Sequence, residues 1–203
     1  MLNIEPRANI DPLNFLLKKK GFIVSYNEIK GIPNYVIWDL KQGDFGDAKR
    51  FEIFFVEKLP KTFYKPRERA YLKAGFDRGH ICPAEDRSST TELIKETFYM
   101  SNIAPQYPFV NQKTWRFLEE YCRKLVEKKG ISLEIASGTI GEKTKIANGF
   151  IVVPSQFWKV IKTSNGEIIS VIIPNDENIE LNWQLYKVEV AEIEKKAGIM
   201  FRF

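Results

Sequence analysis

The spacing of hydrophobic and polar positions changes several times along the chain, and each change marks an element. "FIVSYNEIKGIPNYVIWDL", residues 22–40, holds two β-rich runs around "KGIPN", a turn signal, and reads as two strands. "NQKTWRFLEEYCRKLVEKKG", residues 111–130, switches to helical spacing, with Trp115, Leu118, Cys122, Leu125 and Val126 recurring on one face. Lys128, Lys129 and then Gly130 supply a basic last turn and a stop. Beyond it, "ISLEIAS", "FIVVPSQFWKVI" and "EIISVIIP" are β-branched runs broken by turns such as "SNG", and "VAEIEKKAG" is a final short helix. Gln42 to Ala74 is rich in charge, with Pro60 and Pro66, and predicts irregular structure with one short strand near "FEIFFV". Residues 1–20 are polar, with "LKKK", and are expected to form an N-terminal arm over the surface. Strands thus flank one strong helix without regular alternation. The fold class expected is α+β, with a mainly antiparallel sheet and flanking helices.

Composition narrows the picture. The chain has 203 residues and no internal repeat, low-complexity run or Gly/Ser linker, so one domain over residues 1–203 is the simplest reading. Hydrophobic content of 44% and charged content of 28% fit a soluble globular protein whose core needs no staples. Two cysteines, Cys82 and Cys122, cannot make a disulfide framework and leave one bridge or none. With one histidine and no CxxC spacing they exclude structural zinc. No apolar run is long enough to span a bilayer, so no membrane partner is expected. The N-terminus lacks an apolar signal core, which leaves a cytosolic protein or a processed form, with secreted or periplasmic as the leading expectation. A net charge of +5 fits an anionic partner such as nucleic acid without requiring one.

The chemistry concentrates in two stretches. "FDRGHICPAEDR", residues 76–87, contains the chain's sole histidine, His80. A lone histidine in a loop is ordinarily a turn or packing residue. Here Arg78 stands two positions before it, and Gly79 between them is expected to let the backbone bend toward a ligand. Imidazole beside guanidinium suits a phosphodiester: one group takes a proton from water, the other holds phosphate oxygens through a planar fork. "SNIAPQYPFVNQKTWRFLEE", residues 101–120, places Asn111 at the entrance to the strong helix, where its plain role is an N-cap. Glu119 lies eight positions on, about 80° round the helix, so Asn111, Trp115 and Glu119 share a flank. An amide oxygen and a carboxylate facing one site would suit Mg²⁺, whereas Glu119 as a plain surface acid is the usual alternative.

Together these two stretches resemble the signature of the DNA/RNA non-specific endonuclease family: DRGH, then Asn-x-x-Pro-Gln, then an Asn and Trp-x-x-Leu-Glu on one helix, all in order. The late segments "VPSQFWKVI" and "VEVAEIEKKAGIMF" are similar as well, so the resemblance covers roughly residues 22 to 201. It implies a ββα-metal (His-Me finger) core in which two strands and a helix set a histidine opposite a hydrated Mg²⁺, with Mn²⁺ as a possible substitute. It further implies His80 as general base, Asn111 as the direct metal ligand, Glu119 as a holder of metal-bound water, and Arg78 on the phosphate. Asn102 would order the histidine strand. Arg50, in "AKRFEI", is the best candidate for an upstream phosphate-binding arginine. Cys82 departs from the pattern, which more usually has a small apolar residue there, and its oxidation is expected to lower activity.

The function so implied is Mg-dependent hydrolysis of DNA and RNA, without sequence preference, to 5′-phosphate and 3′-hydroxyl ends. The alternative is a catalytically inactive nucleic-acid-binding module of the same fold. Partners expected are DNA and RNA substrates, and a protein inhibitor wherever active enzyme would meet its host's nucleic acid. The oligomeric state is open.

Overall fold

The structure, a computed structural model, describes residues 2–6 and 13–203. The expected hairpin is present: β3 (Ile23–Asn27) and β4 (Ile32–Leu40) pair antiparallel around a turn that Gly31 closes at φ +66°. They lie side by side in a six-stranded sheet in the order β11-β10-β7-β4-β3-β2, every pair antiparallel. Its other members are β2 (Phe15–Lys18), β7 (Leu133–Ile140), β10 (Gln156–Thr163) and β11 (Ile168–Pro174). "FIVVPSQFWKVI" does not form one strand. It divides at Pro154 into β9 (Ile151–Val153), which pairs with β8 (Thr144–Ile146), and β10.

The sheet is buried on both faces, which is why its strands read as nearly continuous apolar runs. Val36, Trp38 and Leu40 of β4 join one core with Phe157 and Ile161 of β10, while Tyr35 and Ile37 join the other with Trp158 and Val160. Over the first face lies α2 (Arg116–Lys129), which buries Leu118, Cys122, Leu125 and Val126 and ends at Gly130 in the left-handed conformation (φ 66°). Over the second lies α3 (Val190–Ala197), followed by β12 (Ile199–Arg202).

The N-terminal segment is not an arm lying on the surface. β1 (Asn3–Pro6) pairs antiparallel with β12, Leu2 and Ile4 are buried in the second core, and β2 forms an edge of the main sheet. Residues 1 and 7–12 of that expected arm lie outside the described residues. No strand forms at "FEIFFV" either. A lone parallel bridge, Phe55 to Tyr99, stands there, because the phenylalanines turn inward to pack on one another instead of pairing along a ladder. Both cysteines are buried and free.

A separate two-stranded ladder carries the histidine. β5 (Asp77–His80) pairs antiparallel with β6 (Ile103–Gln106) in the register Asp77 to Gln106 and His80 to Ile103. After α1 (Thr91–Thr97) and β6, the chain enters a helical stretch whose first part is a π-helical turn, Val110–Trp115, running directly into α2. Two strands and a helix therefore form the expected ββα unit. Asn175, fully buried, ties it to the sheet: its amide accepts from Tyr107 N (2.9 Å) and donates to the carbonyls of Pro105 (3.1 Å) and Pro154 (2.9 Å).

Candidate active site

Asn102 holds the histidine strand from behind. Its side chain is fully buried and makes three hydrogen bonds of 2.9 Å: Oδ1 accepts from Cys82 N, and Nδ2 donates to the carbonyls of Cys82 and Thr97. Its own carbonyl accepts from Ile81 N at 3.0 Å. The end of β5 is thereby fixed immediately after His80. Gly79 has a different role from the one expected: it lies within the strand, and a Cβ there would sit 2.4 Å from Gln106 Oε1. Its lack of a side chain admits Gln106 over the ladder; it does not bend the backbone toward a ligand.

His80 opens onto a cleft of about 790 Å³, whose lining also includes Arg50, Arg78, Asn111 and Glu119. Five of the six candidate residues thus converge on one space, and Asn102 stands behind it. The imidazole is packed by Phe98 (centroids 4.8 Å apart, edge-on) and Phe54 (5.6 Å). These rings also carry the arginines: Arg78 lies 4.9 Å over Phe54 and Arg50 5.5 Å over Phe98. Each arginine has a carboxylate partner, Arg78 with Glu68 (3.2 Å) and Arg50 with Glu85. Part of the histidine's surface stays open to the cleft, but the ring is closely packed and Nε2 is buried without a hydrogen-bond partner. That burial, with Arg50 and Arg78 nearby and Glu85 opposing them, pushes its pKa down to about 3. The imidazole is therefore neutral at physiological pH, the form able to accept a proton.

Asn111 is not an N-cap. Its N–H already donates to Tyr107 O (3.0 Å) inside the helix. Its Nδ2 donates to Asp77 Oδ2 at 2.8 Å, as does Gln112 Nε2. An ionised carboxylate only accepts, so Asp77 fixes the amide with nitrogen inward and leaves Oδ1 as the free acceptor. The π-helical turn is also unforeseen by a uniform 100° count. Such turns cluster at functional sites because the wider turn re-aims side chains. Here Trp115 turns into the core while Asn111 and Glu119 both keep to the cleft.

Glu119 is not a surface acid. Its side chain is 12% exposed and stands 4.0 Å from Lys159 Nζ. Burial raises its pKa to about 7, against the pull of Lys159 and Arg123, with Asp86 and Glu85 adding to the rise. Asn111 Oδ1 and the Glu119 carboxylate, both on the cleft, are hard oxygen donors that fit a hydrated divalent cation such as Mg²⁺. Among the described residues no group of three or more His, Cys, Asp or Glu side chains is placed to hold a metal ion, so a metal here would rest on few protein donors.

The profile of the DNA/RNA non-specific endonuclease family matches residues 4–202. The chain belongs to this family. It is 38% identical over 207 residues to a protein named "Nuclease" from a Nostoc species, covering 96% of this chain and 75% of that relative. It is 30% identical to human mitochondrial endonuclease G, covering 92% of this chain and 69% of that protein. It spans a smaller share, 58%, of the zebrafish mitochondrial nuclease EXOG, at 31% identity. Its fold matches a chain in the crystal structure of the EndoG/EndoGI complex, with a TM-score of 0.82, 23% identity and coverage of 95% and 87% of the two chains.

This nuclease chain also contains site residues that sequence reasoning missed. Arg123, four residues after Glu119, lines the cleft and pairs with buried Asp86 at 3.2 Å. Asp86 also accepts from Trp38 Nε1 (3.0 Å). Lys159 is fully buried, 4.6 Å over Trp115 and 5.3 Å over Trp38. Helical spacing could have raised Arg123 as a companion of Glu119. A lysine within the apolar run "FWKVI" carried a signal too, since buried lysines are rare unless paired.

Proposed function

We propose that this nuclease hydrolyses phosphodiester bonds of DNA and RNA by a Mg²⁺-dependent mechanism with His80 as general base. The observation that carries this reading is the meeting of His80, Asn111, Glu119, Arg78 and Arg50 in one cleft. His80, neutral and held by two phenylalanines, takes a proton from the attacking water. With Nε2 buried, Nδ1 is the nitrogen assigned to that transfer. Asn111 would hold the metal through Oδ1, and Glu119 would orient its water. The metal supplies positive charge that stabilises the phosphoryl oxygens and the leaving 3′-oxygen.

Arg78 and Arg50 exchange their carboxylate partners, Glu68 and Glu85, for phosphate oxygens. Water as nucleophile dispenses with a ribose 2′-hydroxyl, so both nucleic acids are substrates and the products carry 5′-phosphate and 3′-hydroxyl ends. Contacts to phosphate carry no base information, which gives weak sequence preference. A protein inhibitor is a further partner class for this chain. The related fold in the EndoG/EndoGI structure, described as showing the mechanism of EndoG inhibition, supports that assignment.

Plasmid and single-stranded RNA should be cut with Mg²⁺ and spared with EDTA, and Mn²⁺ should restore cutting. His80→Ala, matched for folding by circular dichroism, should lose roughly 10²–10⁴-fold in turnover. Parent-rate cutting by that variant would remove the general base, and EDTA-resistant cutting would remove the metal. A folded parent that binds nucleic acid but cuts neither substrate would favour the inactive-module alternative.

A further inference from the structure

Phe54 has two sides. One belongs to the cleft beside His80; the other borders a second depression of about 330 Å³, lined also by Val56, Arg67, Glu68, Arg69 and Leu72. Its charges are unequal. Glu68 is engaged toward the cleft, with Oε1 3.2 Å from Arg78 and Oε2 accepting from Phe54 N at 3.3 Å. Arg67 and Arg69, at the start of the 3₁₀ turn Glu68–Tyr71, are exposed, and among the described residues no carboxylate pairs with either. Beside them Leu72 is 68% exposed and Val56 36%. Leu72 and Val56 thus present apolar surface in the same depression as two exposed guanidinium groups. The combination suits a nucleotide: the apolar face receives the base, and the guanidinium groups receive its phosphates.

We infer that this depression is a substrate subsite, which holds the single-stranded nucleotide immediately next to the scissile phosphate, with its base against Phe54, Val56 and Leu72 and its phosphates on Arg67 and Arg69. The inference rests on the nuclease reading of the adjoining cleft. Continuity through Phe54 and Glu68 selects the occupant. When phosphate displaces Glu68 from Arg78, the same strand is already at the edge of the depression. Bases contribute through their faces here, so the subsite favours unpaired strands over duplex and is tolerant of sequence.

The test compares the parent with two variants, Arg67→Gln/Arg69→Gln and Leu72→Ser, all exposed positions that leave the fold intact. Binding of a fluorescent single-stranded 20-mer is followed by anisotropy in EDTA over a salt series, and the same strand is then used for kcat and KM with Mg²⁺. The arginine variant should bind several-fold more weakly, and its slope of log affinity against log salt should fall by about 1.4, at about 0.7 per phosphate contact. Leu72→Ser should weaken binding about threefold to tenfold with the parent's salt slope, because contact with a base is apolar. It should bind a fully abasic strand as the parent does. In both variants KM should rise while kcat stays within about twofold, the mark of uniform binding. Parent-like affinity and salt slope in both variants would overturn the subsite and leave the surface to a protein partner. A fall in kcat with unchanged affinity would overturn it too. Absence of cleavage by the parent would sink the catalytic reading separately, since the binding comparison in EDTA is unaffected.

Discussion

Replacing Asn102 by alanine isolates what holds the histidine in place. The amide makes three hydrogen bonds of 2.9 Å, and it, Cys82 and Thr97 are all fully buried. Alanine strands one N–H and two carbonyls away from water, at about 1–3 kcal/mol for each unsatisfied group. The space vacated is polar, and a water entering it recovers part of the loss. The lower end of the range, about 3 kcal/mol in total, is therefore expected. With a urea m-value of about 2 kcal/mol/M for a domain of this size, that is a fall in the unfolding midpoint of about 1.5 M at unchanged m. Asn102→Asp is the informative companion. It keeps an acceptor for Cys82 N–H, loses both donors, and sets a carboxylate against two carbonyl oxygens. It should be at least as unstable at neutral pH and should recover part of the deficit once acid protonates the carboxyl. Both variants should cut slowly even where they are folded, because the chain after His80 is no longer fixed. A midpoint within about 0.5 M of the parent for Asn102→Ala would refute the reasoning, since that corresponds to about 1 kcal/mol, the worth of one ordinary hydrogen bond.

Stability measured against pH in EDTA separates the two buried titrating groups. His80 has a folded pKa of about 3 against 6.5 unfolded, so the unfolded chain takes its proton first; the parent should lose up to about 1.4 kcal/mol per pH unit between those values, and His80→Asn should lack that contribution. The same shift predicts no acid limb from His80 near 6.5, to be read in the residual activity of Glu119→Gln because the Glu119 carboxyl itself titrates near 7. Glu119 works the other way: its folded pKa of about 7 exceeds 4.5, so it binds its proton better when folded and its contribution declines as pH rises from 4.5 to 7; Glu119→Gln should remove that decline, and identical pH profiles would refute it. Asn111→Ala should abolish most Mg²⁺-dependent cutting with little loss of fold. Asp77→Ala, which frees the amide to rotate, should raise the Mg²⁺ concentration for half-maximal rate, and an unchanged requirement would mean that Asp77 does not orient the ligand.

Much of the architecture was legible because one period dominated each segment. The β3–β4 hairpin, α2 with its Gly130 stop, and α3 all stand where the spacing put them. What misled was local polarity without tertiary context. β1 and β2 are short edge segments whose pairing partners, β12 and β3, are supplied by the rest of the fold. "FEIFFV" has strand propensity, yet its aromatics are used to wall the cleft, and the packing of Phe54 and Phe51 on Phe98 outweighs any ladder. The thiol of Cys82 belongs with these cases. It is fully buried and its pKa is pushed up by the burial, so it is a packing group, and the expected sensitivity to oxidation lacks the exposed thiolate it would need.

The site divides along the same line. His80, Arg78, Asn111 and Glu119 were legible because each sits in a short motif whose neighbours in sequence are also neighbours in space. Lys159 was not, because its meaning depends on a strand distant in sequence. Alternation along β10 puts it on the same face as Phe157 and Ile161, the face that α2 covers, so an ammonium group is carried beneath the helix that bears Glu119. An unpaired charge at that depth costs several kcal/mol, and an apolar residue would suit the Trp38 and Trp115 rings as well. The fold nevertheless keeps a cation there. The Lys159–Glu119 and Arg123–Asp86 pairs leave each buried carboxylate with a fixed positive neighbour, so the helix can present an acid to the cleft from a buried position. Glu119 is held against the sheet from below while Asn111 is held by Asp77 from the side. Asn111, inside the π-helical turn, and Glu119, just beyond it, are thus set by separate partners, and their relative position does not depend on the helix alone.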